Sequence, residues 1–168
     1  CTNCPAAATI ATQLEDDTAL GVIVVSVHAS TDGSFQSTDE VEFTVDYQTD
    51  AGDAYVQEMP GFIGNPMGTI NRNDGGYSNT NWYFSSNWAT GVNDEISQGN
   101  LDANIQLQYH YYPSTNGLFI HTETTFLNTL SGNYHLIVYL IRNDVISPQK
   151  MNDGTIDHHY HCLLYTSP

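Results

Sequence analysis

The hydrophobic period of this chain changes once, near residue 99, and that change limits the folds open to it. Before that point the apolar residues fall mainly into helical spacing. Ala7, Ile10, Ala11 and Leu14 stand at i, i+3, i+4 and i+7 behind Pro5, a residue suited to a first helical turn, so a helix is expected from Pro5 to about Asp16. A second helix is expected from Asp50. Asp50 would cap it, Ala51, Ala54, Tyr55 and Met59 would form its inner face, and Pro60-Gly61 would end it. A third, capped by Ser86, carries Ala89, Val92 and Ile96 inward with Trp88 beside Val92, and ends near Gly99. After Asn100 the period becomes two. Ile105, Leu107, Tyr109 and Tyr111 alternate with polar residues, Pro113 to Gly117 reads as a hairpin turn, and Leu118, Ile120, Thr122, Thr124 and Phe126 alternate again. Ser131-Gly132-Asn133 makes another turn before a largely apolar strand from Tyr134 to Ile141. The expected organisation is an α/β domain over residues 1–99 followed by an all-β, sandwich-like domain over 100–168.

Two extended stretches belong to the first part. Val22-Ile23-Val24-Val25 and Val27 form a β-branched run of the kind found in strands covered on both faces, as in a parallel sheet. Val41, Phe43, Val45 and Tyr47 alternate with polar residues. A helix followed by a buried strand implies a strand ahead of the helix as well, so the sequence reads as lacking its first strand. His28, at the end of the β-branched run, stands where open α/β sheets place functional groups, although a histidine hydrogen-bonded within a loop needs no such role.

The chemistry-bearing feature is Cys1-Thr2-Asn3-Cys4-Pro5 at the head of the first helix. A helix N-terminus favours a thiolate, and a second cysteine three residues on lies within bonding reach. That spacing serves a dithiol cycling with a disulfide, an inert disulfide of an exported protein, or half a zinc site. No second Cys-x-x-Cys completes a zinc site. His158, His159, His161 and Cys162 resemble a metal cluster in spacing, but they are purely local ligands, so neither metal nor cofactor is expected. Asn73-Asp74-Gly75-Gly76 lacks the alternation of a calcium loop and reads as a turn.

Charge narrows the partners. Nineteen acidic residues stand against Arg72, Arg142 and Lys150, a formal net charge of -16. Such a field repels phosphate backbones and anionic lipid surfaces, so nucleic acid is not an expected partner. No run of about 18 apolar residues is present to span a membrane.

Taken together, these segments resemble the thioredoxin-like family, and within it the outer membrane protein 28-related family of Bacteroidetes-type cell-envelope lipoproteins. The matching pieces are Cys1-Thr2-Asn3-Cys4-Pro5, Val24-Val25-Ser26-Val27-His28-Ala29, Ala51-Gly52-Asp53-Ala54-Tyr55 and Asn65-Pro66-Met67-Gly68-Thr69-Ile70-Asn71-Arg72. In the second part they are Leu130 to Leu140 and Val145-Ile146-Ser147-Pro148-Gln149. The resemblance implies a thioredoxin-like domain, with Pro66 as the cis-proline facing the dithiol. It implies Cys1 as nucleophile, Cys4 as resolving thiol, protein thiols or disulfides as partners, a lipid anchor upstream and a cell-envelope location. It also implies a further strand after Tyr160-His161, where this chain instead reads Cys162 to Pro168; residues from about 162 on are read as a tail foreign to the native protein. The rival reading is a non-catalytic envelope binding or structural protein. There the disulfide is a staple, and Tyr109, Tyr111, Tyr112 and Tyr139 contribute a partner surface. A lipidated Cys1 is a third reading, opposed by a helix that starts only a few residues on. Carboxylates throughout the chain predict a Cys1 thiol less acidic than in strongly oxidising thioredoxin-like proteins.

Overall fold

The computed structural model describes residues 1–29, 31, 36–99 and 101–164, with side chains up to His158. Its architecture is mixed α/β. In chain order it has α1 (Cys4–Asp16), α2 (Asp50–Glu58), β1 (Met67–Gly68), β2 (Tyr83–Phe84), α3 (Trp88–Gln98), β3 (Ala103–Tyr112), β4 (Gly117–Phe126), β5 (Ile141–Lys150) and β6 (Ile156–Leu164). The strands pair as three two-stranded antiparallel sheets, β1 with β2, β3 with β4 and β5 with β6. Two compact units result. One joins Cys1–Ser97 to Ile137–Pro168, and the other is Gln98–Leu136. The second unit thus starts close to the change of hydrophobic period, whereas residues from 137 on group with the N-terminal part rather than with the β3–β4 hairpin.

The core of the first unit is small and aromatic. Ala29, Val56 and Trp82 are buried together, with Met59, Phe62 and Met67 packed against them. The Trp82 indole N–H donates to the Met59 carbonyl at 2.9 Å, and Phe62 meets the Trp82 ring edge-on at 4.9 Å. This satisfies the single polar atom of a ring that is only 6% exposed. Gly52 lets α2 approach residues 27–29 closely, since a Cβ there would lie 2.9 Å from Val27 Cγ1. Gly91 does the same for α3, where a Cβ would lie 2.5 Å from Ile70 Cδ1.

All three expected helices form. Thr49, rather than Asp50, is the N-cap of α2, because its Oγ1 accepts from the Gly52 N–H at 3.1 Å. Asp50 stands one residue later, in the first turn, where its charge still suits the helix dipole. Ser86 does not cap α3. It lies in a 3-10 turn, Ser85–Asn87, and its hydroxyl bonds Asn87 Oδ1. Within α3 Gly91 and Val92 are buried, while Ile96 and Ala89 are exposed, so the inner face is narrower than the spacing implied.

The extended stretches depart further from expectation. Residues 22–29 join no ladder among the described residues, and Ile23 is 82% exposed, so the β-branched run is not a strand covered on both faces. A strand needs a neighbour to exchange backbone hydrogen bonds, and none of the described strands pairs with it. The alternating stretch from Val41 has a local cause for the same outcome. Asp39 Oδ1 accepts from the N–H groups of Val41, Glu42 and Phe43 at 2.9, 2.7 and 2.9 Å, and the Asp39 N–H donates to the Phe43 carbonyl. The carboxylate takes donors that a ladder would need. Residues 134–140 carry no strand either; the ladder starts at Ile141.

The hairpin expected after residue 100 does form. β3 and β4 pair in continuous register from Ala103↔Phe126 to Tyr112↔Gly117. One face of the ribbon carries Ile105, Leu107, Tyr109 and Tyr111 opposite Thr124, Thr122, Ile120 and Leu118. A core for alternate residues is expected from their period, yet this face is exposed, Tyr109 by 67%. The set of tyrosines expected to share a surface is divided as well: Tyr112 lies on the opposite face from Tyr111, and Tyr139 belongs to the other unit.

Candidate functional site

Pro5 at the first turn starts α1, so the Cys-x-x-Cys segment occupies its N-terminal end with Cys4 as the first helical residue. Cys1 and Cys4 are joined as a disulfide, with Cα atoms 5.5 Å apart. Cys1 Sγ lies 3.6 Å from the backbone carbonyl oxygen of Asn65. The Asn65–Pro66 peptide bond is cis. Cys1, Cys4 and Pro66, 62 or more residues apart in sequence across the loop, therefore converge on one place, with Asn65 rather than Pro66 supplying the atom nearest the sulfur.

The loop that brings Asn65 there is fixed at several points. Phe62 and Met67, which flank it, pack on the Trp82 core. The Asn65 side chain donates to the Ala29 carbonyl at 3.1 Å, and the same carbonyl accepts from Gln36 Nε2 at 3.1 Å. The segment ending in Ala29 is thus tied to the cysteine-facing loop by side chains rather than by a strand ladder. The 3-10 turn Ser85–Asn87 also packs against α1.

A second element reaches the dithiol from the end of the chain. Along β5 Val145 and Ser147 are buried while Ile146 is exposed, and the two-residue period puts Gln149 on the covered face. Its Nε2 donates to the Cys1 carbonyl at 2.9 Å and to the Lys150 carbonyl at 2.9 Å. The Cys1 carbonyl also accepts, at 3.4 Å, from the Cys4 N–H across the turn. Burial, and secondarily the positive charge of Lys150, push the pKa of the Cys1 amino group down. The only lysine of a chain with net charge -16 therefore acts on the cysteine end of α1. Asn65 and Gln149 were part of the segments that suggested the fold, yet no role for either is readable from spacing. The signal was available for Gln149 alone, as the third inward position after Val145 and Ser147.

The His28 ring stands edge-on to Tyr47 at 5.7 Å. Asn73 and Asn71 hold the two carboxylate oxygens of Glu95 at 2.7 and 3.2 Å, consistent with a turn tied to α3. Among the described residues no group of three or more His, Cys, Asp or Glu side chains is placed to hold a metal ion. The side chains of His159, His161 and Cys162 lie outside the described residues. Among those residues no helix is long and apolar enough to cross a membrane.

Tyr55 of α2 and Tyr139 form a separate polar cluster with Arg72. The two hydroxyls lie 2.5 Å apart, Arg72 donates to Tyr139 Oη at 3.0 Å, and its guanidinium stands 4.9 Å from the Tyr55 ring centroid. Burial and the Tyr139 hydroxyl push the Tyr55 pKa up to about 12, against an opposing pull from Arg72.

Scans of protein-family models, of curated proteins and of solved structures each found no match to the chain.

Proposed function

We propose that this chain is a thioredoxin-like thiol–disulfide exchange protein of the bacterial cell envelope, working through Cys1 and Cys4 on the thiols or disulfides of other proteins. The observation that carries the reading is the approach of Cys1 Sγ to the Asn65 carbonyl, next to Pro66, at the N-terminus of α1. A loop backbone lying beside a reactive sulfur offers hydrogen-bonding groups to an extended substrate segment, which would be held alongside as an added strand. The helix N-terminus favours the thiolate that the chemistry needs.

In the reducing direction the Cys1 thiolate attacks one sulfur of a substrate disulfide, forming a mixed disulfide and releasing the substrate's other sulfur as a thiolate. The Cys4 thiolate then attacks Cys1 Sγ, closing the Cys1–Cys4 bond and releasing the second substrate thiolate. Two electrons pass from protein to substrate, and the two protons of the dithiol end on the substrate thiols. Pro66 and Asn65 position the substrate, and neither is consumed.

A second reading has its own observation. The β3–β4 ribbon exposes Ile105, Leu107, Tyr109 and Tyr111 on one face, while its unit carries only two acidic residues, Asp102 and Glu123. Aromatic, charge-poor surface is the composition of interface cores. In that case the protein is a non-catalytic envelope binding or structural protein, and Cys1–Cys4 is a staple. Insulin reduction driven by dithiothreitol separates the two. Turnover that is lost in Cys1→Ser supports exchange, and equal rates in wild type and Cys1→Ser defeat it.

A further inference from the structure

The exchange reading leaves Gln149 without a task, although it makes a hydrogen bond to the cysteine segment across 148 residues of sequence. It is anchored on a rigid element, the antiparallel β5–β6 pair, where it stands opposite Asp157. Val145 and Ser147 are buried on the same face of β5, and Gln149 follows them there half-buried. Its amide reaches 148 positions back along the sequence to the Cys1 carbonyl. That carbonyl is the acceptor which closes the Cys1–Cys4 turn, yet its bond from the Cys4 N–H, at 3.4 Å, lies near the limit of a useful hydrogen bond. The 2.9 Å bond from Gln149 is the shorter of the two.

We infer that Gln149 is a positioning residue for the dithiol: it holds the Cys1 carbonyl in the orientation that brings the two cysteines together, and so biases the pair toward the disulfide. The inference rests on the reading that Cys1 and Cys4 cycle between thiol and disulfide. Its physical basis is effective concentration. Two thiols held within bonding distance form a disulfide more favourably than two thiols on a loose turn, because the ordering has already been supplied. A bond made in the disulfide state and weakened in the dithiol state shifts the equilibrium by its difference between the two. For an ordinary hydrogen bond that is about threefold to tenfold.

The test is a redox titration of the full chain in glutathione buffers at pH 7, with the dithiol fraction counted by alkylation and mass. Two glutathione thiols supply the electrons, the Cys1–Cys4 bond breaks, one glutathione disulfide forms, and the two protons end on the cysteines. Gln149→Met keeps the length of the side chain and removes the donor. It is expected to shift the midpoint about threefold to tenfold toward the dithiol while the circular dichroism spectrum stays that of the wild type. Gln149→Lys, which keeps a donor at similar reach, is expected to restore the wild-type midpoint. A Gln149→Met midpoint equal to wild type overturns the inference, because the bond then holds both states alike. Should Gln149→Met fail to fold, Gln149→Glu, ionised and unable to donate at pH 7, carries the same expectation and the same refutation. A midpoint shift without insulin turnover would defeat the exchange function and leave the positioning role standing. Turnover without a shift would do the reverse.

Discussion

Replacing Trp82 separates the two things it does for the loop that faces the cysteines. Its ring fills the centre of the Ala29, Val56 and Trp82 cluster, and its N–H ties that cluster to the Met59 carbonyl at 2.9 Å. Trp82→Phe keeps an aromatic ring against Phe62 and removes the donor. The expected cost is about 1–2 kcal/mol, the net worth of one hydrogen bond plus a partly dry carbonyl. Trp82→Ala removes the ring as well, and at 6% exposure the whole side chain is lost from the interior. That change should cost about 3–5 kcal/mol. Against a total stability of about 5–15 kcal/mol, the first variant folds and the second is marginal. Urea titration followed by far-ultraviolet circular dichroism reads both, and Trp88 fluorescence serves as an independent probe in either variant. The two losses should differ by about 1–4 kcal/mol, the packing share of the ring. If Trp82→Ala cost under about 1 kcal/mol, the ring would not be the centre of this core, and the anchoring of residues 59–67 argued from it would fall.

Two titrations test local electrostatics. Tyr55 has its pKa pushed up to about 12, so folding favours its protonated form. Its contribution is fully present below the ordinary tyrosine value, near 10, and is lost as pH rises from there through about 12. Ultraviolet difference titration should show a late-ionising tyrosine that is missing in Tyr55→Phe; identical curves for the two proteins would contradict the cluster. Asp39 has its pKa lowered by the N–H groups of Phe43, Glu42 and Val41, in that order. Its stabilisation is therefore present above the ordinary aspartate value and lost as pH falls through the lower folded value. The amide resonances of residues 41–43 should move together in acid, with a midpoint below that of ordinary aspartates. Independent titration, or a midpoint at or above the ordinary value, would refute the shared carboxylate contact.

What could be read from the sequence divides by the range of the forces involved. The three helices and the β3–β4 hairpin follow from spacing over a few residues, and Pro5, Pro60 and the Pro113–Gly117 turn punctuate them where expected. Caps were legible only to within one residue, since Thr49 and Asp50 are both able to cap α2 and the backbone places Thr49 at the position. The β-branched run at 22–27 and the extended stretch at 41–47 carry no ladder, because alternation or β-branching describes a segment's suitability, while a ladder requires a partner and free donors. Asp39 takes the donors in one case, and among the described residues no strand pairs with the other. At the candidate site, Cys1 and Cys4 are legible because their spacing is local. Asn65 and Gln149 enter through the fold, one in a loop braced by Trp82 and the other at the end of a strand.

The bond from Gln149 to Cys1 also dictates an order of events. It spans 148 residues, and between its ends lies the whole of the second unit, from Gln98 to Leu136. A hairpin with contacts between near neighbours closes in about 1–10 μs, whereas a contact of such long range must first absorb the entropy of closing the chain between its ends. During synthesis Cys1 is made 148 residues before Gln149. Both cysteines are therefore made well before the strand that grips their segment exists. At about 5–20 residues per second the delay is roughly 7–30 s. The cysteine segment thus spends its early life without the Gln149 bond to its carbonyl, and acquires that setting only once β5 has been made.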